Sequence, residues 1–195
     1  MEKVWFTSDT HFGSERTLQL SKRPFSTIEE MDNTIINNWN NTVNEADTVY
    51  HLGDFGNYDV IKKLNGKVFL IIGNYEQKDI ENTYKREDDF KAIMINRGFY
   101  DVYSSIFSKW FNTQNKDYEP KHIHLYMAHE PLQIKDNMIM DNSFNIFGHI
   151  HEKQMVKRYG LNVGTDCHYF CPIDIDTILF YRNAIMNFYD DNVFE

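Results

Sequence analysis

Apolar and polar positions fall into two kinds of pattern along this chain, and they predict its elements. Val4-Trp5-Phe6-Thr7-Ser8, Thr48-Val49-Tyr50-His51-Leu52 and Val68-Phe69-Leu70-Ile71-Ile72 are short, nearly solid apolar runs, as expected of strands buried on both faces. Between the first two, Ile28, Met31, Ile35, Trp39 and Val43 recur at three- and four-residue steps, the stripe of a helix packed on one side. Ser26-Thr27-Ile28-Glu29 has the form of a capping box, which predicts the helix to begin at Ser26. Val60, Ile61 and Leu64 predict a short helix closed by Asn65-Gly66. Strand, helix, strand, helix, strand is an α/β order, and ligands of such sheets gather at the carboxyl ends of the strands.

The second half has weaker periodicity. Glu76 to Glu87 reads as a charged loop, Phe90 to Arg97 as a helix, and Tyr100 to Phe111 as strands of a second sheet. Asn112 to Lys121, with Pro120, reads as a polar turn. His122 to Met127, Ser143 to Phe147 and Leu161 to Gly164 predict strands. Ile178 to Tyr181 and Ile185 to Tyr189 predict a hairpin around Arg182-Asn183. Nothing resembling a repeat or linker divides residues 1–195, so one domain is expected.

Composition narrows the partners. A content of 42% hydrophobic and 15% aromatic residues in 195 is that of a globular chain. A net charge of -9 and the lack of a basic stripe disfavour a general nucleic-acid footprint. No apolar run has the ~20 residues of a membrane helix, and the start has no signal-peptide pattern, so a cytoplasmic location is expected. Cys167 and Cys171 then read as reduced structural thiols. No feature specifies an oligomeric state.

Five short blocks at the ends of apolar runs carry the candidate chemistry. They supply Asp9 and His11, then Asp54, then Asn74, then His129, then His149 and His151. Carboxylate, amide and imidazole ligands without cysteine suit Mn, Fe or Zn in a catalytic site better than a structural zinc. Asp9 and His11, like His149 and His151, are two residues apart and can point the same way. Gly53, Gly73 and Gly148 each precede a candidate ligand and let the backbone turn sharply.

The ordered set D-x-H, G-D, G-N, H, G-H-x-H closely resembles the calcineurin-like metallophosphoesterase superfamily. Ser8-Asp9-Thr10-His11-Phe12-Gly13, Arg23-Pro24-Phe25 and Asp47 to Phe55 are similar to its small single-domain members from bacteria and phages. The resemblance implies a two-sheet β-sandwich flanked by helices, in a four-layer α/β/β/α architecture. It implies a centre of two divalent ions, with Mn2+ favoured over Fe or Zn. Asp9, His11 and His151 match the ligands of one ion, and Asn74, His129 and His149 those of the other. Asp54 matches the bridging carboxylate, and a bridging hydroxide would attack phosphorus.

One position departs from the family pattern. Gly73-Asn74-Tyr75-Glu76 stands where the family usually reads G-N-H-D or G-N-H-E. A tyrosine, with a pKa of ~10, stays neutral and is a weaker proton donor than a histidine. Loss of a cation there harms a dianionic monoester more than a diester. The expected protein is therefore a phosphodiesterase acting on a nucleotide-type or cyclic diester. Phosphomonoesterase, nuclease and non-catalytic metal-binding scaffold are the alternatives. Asp54, Asn74, Tyr75 and His129 are the expected catalytic residues. Asn74, Tyr75, Arg16, Arg23 and His168 are the expected substrate-binding ones. His51 and Phe111 are expected to be packed, Trp110 to be core, and His122 and His124 to lie at the surface or behind the site.

Overall fold

The computed structural model describes residues 2–113, 121–133, 142–188 and 190. Two five-stranded sheets are flanked by helices. The first sheet contains β1 (Val4–Thr7), β2 (Thr48–His51), β3 (Lys67–Ile71) and β4 (Asp101–Tyr103) in parallel, with β10 (Ile173–Asp174) antiparallel on β1. The second contains β5 (Ile106–Asn112), β6 (His122–Ala128), β7 (Ser143–Phe147), β9 (Gly160–Asn162) and β8 (Val156–Lys157) in that spatial order. Within it, β6, β7 and β9 are parallel.

Two apolar layers fix this arrangement. Trp5, Val49, Val68 and Leu70 face α2 (Ile28–Thr42) and α4 (Glu87–Arg97), which contribute Met31, Ile35, Trp39, Phe90 and Met94. Phe6, Tyr50 and Leu52 point the other way and meet Ile123, Leu125, Met127 and Leu161 of the second sheet. Strands buried on both faces explain the solid apolar runs. The helical stripe of α2 is observed as read, except that its N-cap is Thr27, whose hydroxyl accepts from Glu30 N. Glu30 accepts from Ser26 N, one residue before the cap, so the helix starts one residue later than read and the second bond of the box reaches past the cap.

Three further readings are corrected. The expected C-terminal hairpin is helix α5 (Ile175–Phe188), with Tyr189 outside the described residues. Asp174 caps it by accepting from Thr177 N and Oγ1, and Ile175, Ile178, Leu179 and Ile185 form its buried stripe. Ile178-Leu179-Phe180-Tyr181 is apolar throughout, so the run itself does not separate strand from helix. The expected loop after Asn74 is helix α3 (Asn74–Asp79) followed by a π-helical turn, Ile80–Tyr84. Its inward residue is the carboxylate Glu76, which hides the amphipathic pattern. Trp110 is 52% exposed and stacks on His124, whereas Phe111 is core as expected. Helix α1 (Glu15–Leu20) carries no apolar stripe to reveal it. Residues 114–120 of the expected polar turn lie outside the described residues. Among the described residues no helix is long and apolar enough to cross a membrane.

Asp47 anchors the edge of the first sheet. It is 1% exposed and accepts from Lys3 N at 2.8 Å, Trp5 Nε1 at 3.0 Å and Asn44 N at 3.0 Å. Burial raises its pKa, but these hydrogen bonds more than offset that and hold it below the usual carboxylate value. Asp47→Ala leaves several donors without a partner and is expected to cost about 2–3 kcal/mol in denaturant unfolding. A depressed folded pKa contributes stability that is present at neutral pH and lost on acidification through the folded value. The gap between wild type and variant should therefore narrow below about pH 3.8.

Candidate metal centre

The ligand blocks meet because the chain segments after β1, β2 and β3 remain stitched beyond the sheet. Asp9 N donates to Gly53 O, His11 N to Asp54 O and Phe12 N to Phe55 O, at 2.9–3.1 Å. Glu76, fully buried in α3, accepts from Gly73 N, Asp54 N and Phe55 N at 2.8–3.0 Å. It thus clamps the Asp54 turn onto the Asn74 turn. The second sheet joins through Thr165 N, which donates to Ser8 O, and His149 N, which donates to the Asp9 carboxylate at 2.9 Å. Gly148 makes the latter contact possible, since a Cβ there would collide with the Asp9 carboxylate and the Ser8 hydroxyl.

Side chains of all seven candidate ligands converge on one place. Asp9, His11 and His151 form one group of ligand atoms lying within 4.8 Å of one another, and Asp9, Asp54 and His129 form another. Asp54 Oδ2 lies 3.5 Å from both His11 Nε2 and His129 Nε2, between the two groups. Asn74 Oδ1 is 2.8 Å from His129 Nε2 and 3.1 Å from His149 Nδ1. Five of the seven, Asp9, His11, Asp54, His149 and His151, have φ between 48° and 70°. The left-handed region costs a residue with a Cβ roughly 1 kcal/mol or more, and such strain concentrates at functional sites.

The donor chemistry fits bound cations. His11 is 2% exposed, yet neither ring nitrogen has a hydrogen-bond partner. Burial lowers its pKa to about 4, against the opposing pull of Asp9 and Asp54, so the imidazole is neutral with a lone pair to give. His129 Nδ1 donates to Leu52 O, and His151 Nδ1 donates to Asp166 Oδ2, both at 2.8 Å. Each bond fixes the tautomer that turns Nε2 toward the centre. Burial alone would lower the pKa of His129, but the neighbouring carboxylates raise it. Burial likewise opposes ionisation of Asp54, yet contacts with His129 and His11 hold its pKa down. Glu76 is pushed up by burial and by Asp54.

A model of the calcineurin-like phosphoesterase superfamily domain matches residues 3–170. The chain belongs to the calcineurin-like phosphoesterase superfamily. An uncharacterized protein of Methanocaldococcus jannaschii is 39% identical over 85 residues, which are 40% of this chain and 48% of that protein. The Gene 66 protein of Mycobacterium phage L5 is 31% identical over 85 residues, 39% of this chain and 41% of that one. The matched segments thus span about half the length of these relatives. A crystal structure of a protein of unknown function from Aquifex aeolicus has a TM-score of 0.61 at 24% identity, covering 91% of this chain and 98% of its own. That likeness concerns the fold.

This calcineurin-like centre opens into a cavity of about 270 Å³ whose walls include Arg16, Tyr75, Lys78 and Lys153. Tyr75 Oη accepts from Arg16 Nη1 at 3.0 Å, and its ring stands edge-on to His11, 5.0 Å between centroids. Two expected substrate ligands are placed elsewhere. Arg23 is 5% exposed and spends its guanidinium on Asp166, Thr10 O and Asp9 O, behind the ligands. His168 is buried, with Nε2 bonded to Asn162 O. His51 is packed and bonds Thr10 Oγ1. The sequence reading missed Glu76 and Asp166 as positioning residues. Asp166 follows β9 as Asp9 follows β1, the one signal available.

Asp166 is pulled down to about 2: burial opposes this, but His151 and Arg23 outweigh it. Asp166→Asn should loosen His151 and lower Mn2+ affinity by about 10–100-fold, read by calorimetric titration. Unchanged affinity would show that Asp166 does not orient the ligand.

Proposed function

We propose that this protein is a two-metal phosphoester hydrolase that prefers phosphodiesters of nucleotide or cyclic type. The carrying observation is the pair of ligand groups that share Asp9, with Asp54 Oδ2 placed between their histidines. Two divalent ions, with Mn2+ favoured, would supply Lewis acidity toward phosphoryl oxygens and lower the pKa of water. Asp9, His11 and His151 would hold one, Asn74, His129 and His149 the other, and Asp54 both. Arg16, Lys78 and Lys153 line the adjoining cavity and outnumber its rim carboxylate Glu152, which suits it to a phosphate.

The diester preference rests on Tyr75. Its hydroxyl is hydrogen-bonded to Arg16, whose guanidinium brings charge but no transferable proton. The position that usually offers an imidazole therefore offers a phenol hydroxyl already engaged with Arg16. A leaving group with a strongly basic oxygen gains little from it. A phosphomonoester reading is supported by a different observation, the three cations lining the same cavity, which would welcome a dianion.

A paired assay with Mn2+ separates them. Bis(p-nitrophenyl) phosphate is expected to be turned over faster than p-nitrophenyl phosphate, and the reverse order would refute the diester preference. Tyr75→His should shift the ratio toward the monoester. Asp54→Ala should lower kcat by at least about 100-fold. Full activity of that variant would exclude the two-metal mechanism.

A further inference from the structure

A second cavity, of about 530 Å³, meets the same centre from another side. It runs along the helical face formed by Asn74, Gln77, Lys78 and Glu81, and it reaches His129. Asn74 and Lys78 also line the basic cavity, so the two chambers adjoin at the candidate metal centre. Their chemistry differs. The larger chamber is walled by Ile72, Ala128, Ile106 and Leu132. Ile72 and Ala128 are buried and form its floor, whereas Ile106 is 57% exposed at the start of β5. A single exposed isoleucine means little. Here it completes a concave apolar wall that ends on two candidate ligands, Asn74 and His129. Volumes of roughly 300–1,000 Å³ with an apolar lining and a few polar groups are those of small-molecule sites.

Charge at the rim narrows the occupant. Glu81 and Glu130 flank this chamber, with Lys78 as the cation among its lining residues. Two carboxylates against Lys78 disfavour a further phosphate here, while the neighbouring chamber sets Arg16, Lys78 and Lys153 against the rim carboxylate Glu152. We infer that the apolar chamber receives one ester arm of the substrate, an uncharged group of aryl or nucleoside size. Ile106 and Leu132 are then specificity-determining residues. The inference rests on the phosphoesterase reading and adds the class of organic group that the site selects.

Non-hydrolysable phosphonates test it on the Zn2+-loaded protein, with methyl resonances followed by NMR. Phenylphosphonate is expected to shift the methyl signals of Ile72, Ile106 and Leu132, and methylphosphonate to leave them in place. Ile106→Asn, an exposed change that adds no charge and spares the core, should weaken phenylphosphonate binding about tenfold and leave methylphosphonate affinity unchanged. Equal affinity for both phosphonates in the wild type, or equal weakening of both in the variant, would overturn the subsite while keeping the phosphate-binding centre. Failure of both phosphonates to bind would overturn the phosphoesterase reading, and the subsite with it.

Discussion

Three carboxylates, Asp9, Asp54 and Glu76, are buried together where the strand ends meet, and the site is built around balancing them. Burying a charge is costly unless partners or cations offset it. Glu76 is met by three backbone amides, and its pKa is pushed up nonetheless. Asp9 accepts the amide of His149, and Arg23 reaches its carbonyl from behind. Asp54 leans on His129 and His11, of which the second is held neutral by burial. The ring nitrogens of His11 remain without hydrogen-bond partners beside these carboxylates. A centre that sets such lone pairs among buried carboxylates is suited to divalent cations.

The same segments also hold backbone strain. Five candidate ligands adopt left-handed φ values that their side chains disfavour. They are kept there by bonds that run between segments, such as His11 N to Asp54 O and Gly148 N to His129 O. Close approach does the rest: a Cβ on Gly53 would lie 2.5 Å from the Gly73 Cα, so two turns can touch only with glycine at both positions. The glycines before Asp54 and Asn74 therefore act as a pair. Rigid strands deliver the turns, and the turns are over-determined enough to hold an unfavourable conformation.

How much of this was legible in the sequence follows from what each residue contacts. Strands buried on both faces announce themselves as apolar runs, and α2 as a stripe, because water is excluded from both faces of those strands and from one side of the helix. Helix α3 was hidden because its inward residue is a carboxylate whose partners are amides of its own leading turn and of the loop after β2. Helix α5 was hidden because its run is apolar on several faces. The ligand blocks could be read because spacing and residue type are local properties. Arg23 shows the opposite case. Its proximity to the first ligand block is visible in the chain, but its direction, inward toward Asp166, is a property of the packed structure. Glu76 and Asp166 escaped notice for that same reason, since each acts through groups far away in sequence.

Tyr75 joins the candidate ligand set to the cavity beside it. Its amide donates to Asp54 Oδ1 at 2.9 Å, a bond that any residue other than proline would make. The backbone at this position therefore serves the ligand set irrespective of the side chain. The side chain instead faces the basic cavity and holds Arg16. Changing histidine to tyrosine can thus alter which phosphoester is favoured without disturbing how the ligands are held. On the other side of Asn74, the apolar wall of Ile106 and Leu132 can vary with the same independence, since neither belongs to the stitched turns. Under the proposed function, reaction class would be carried by buried, mutually bonded residues, and substrate choice by two surfaces that adjoin them.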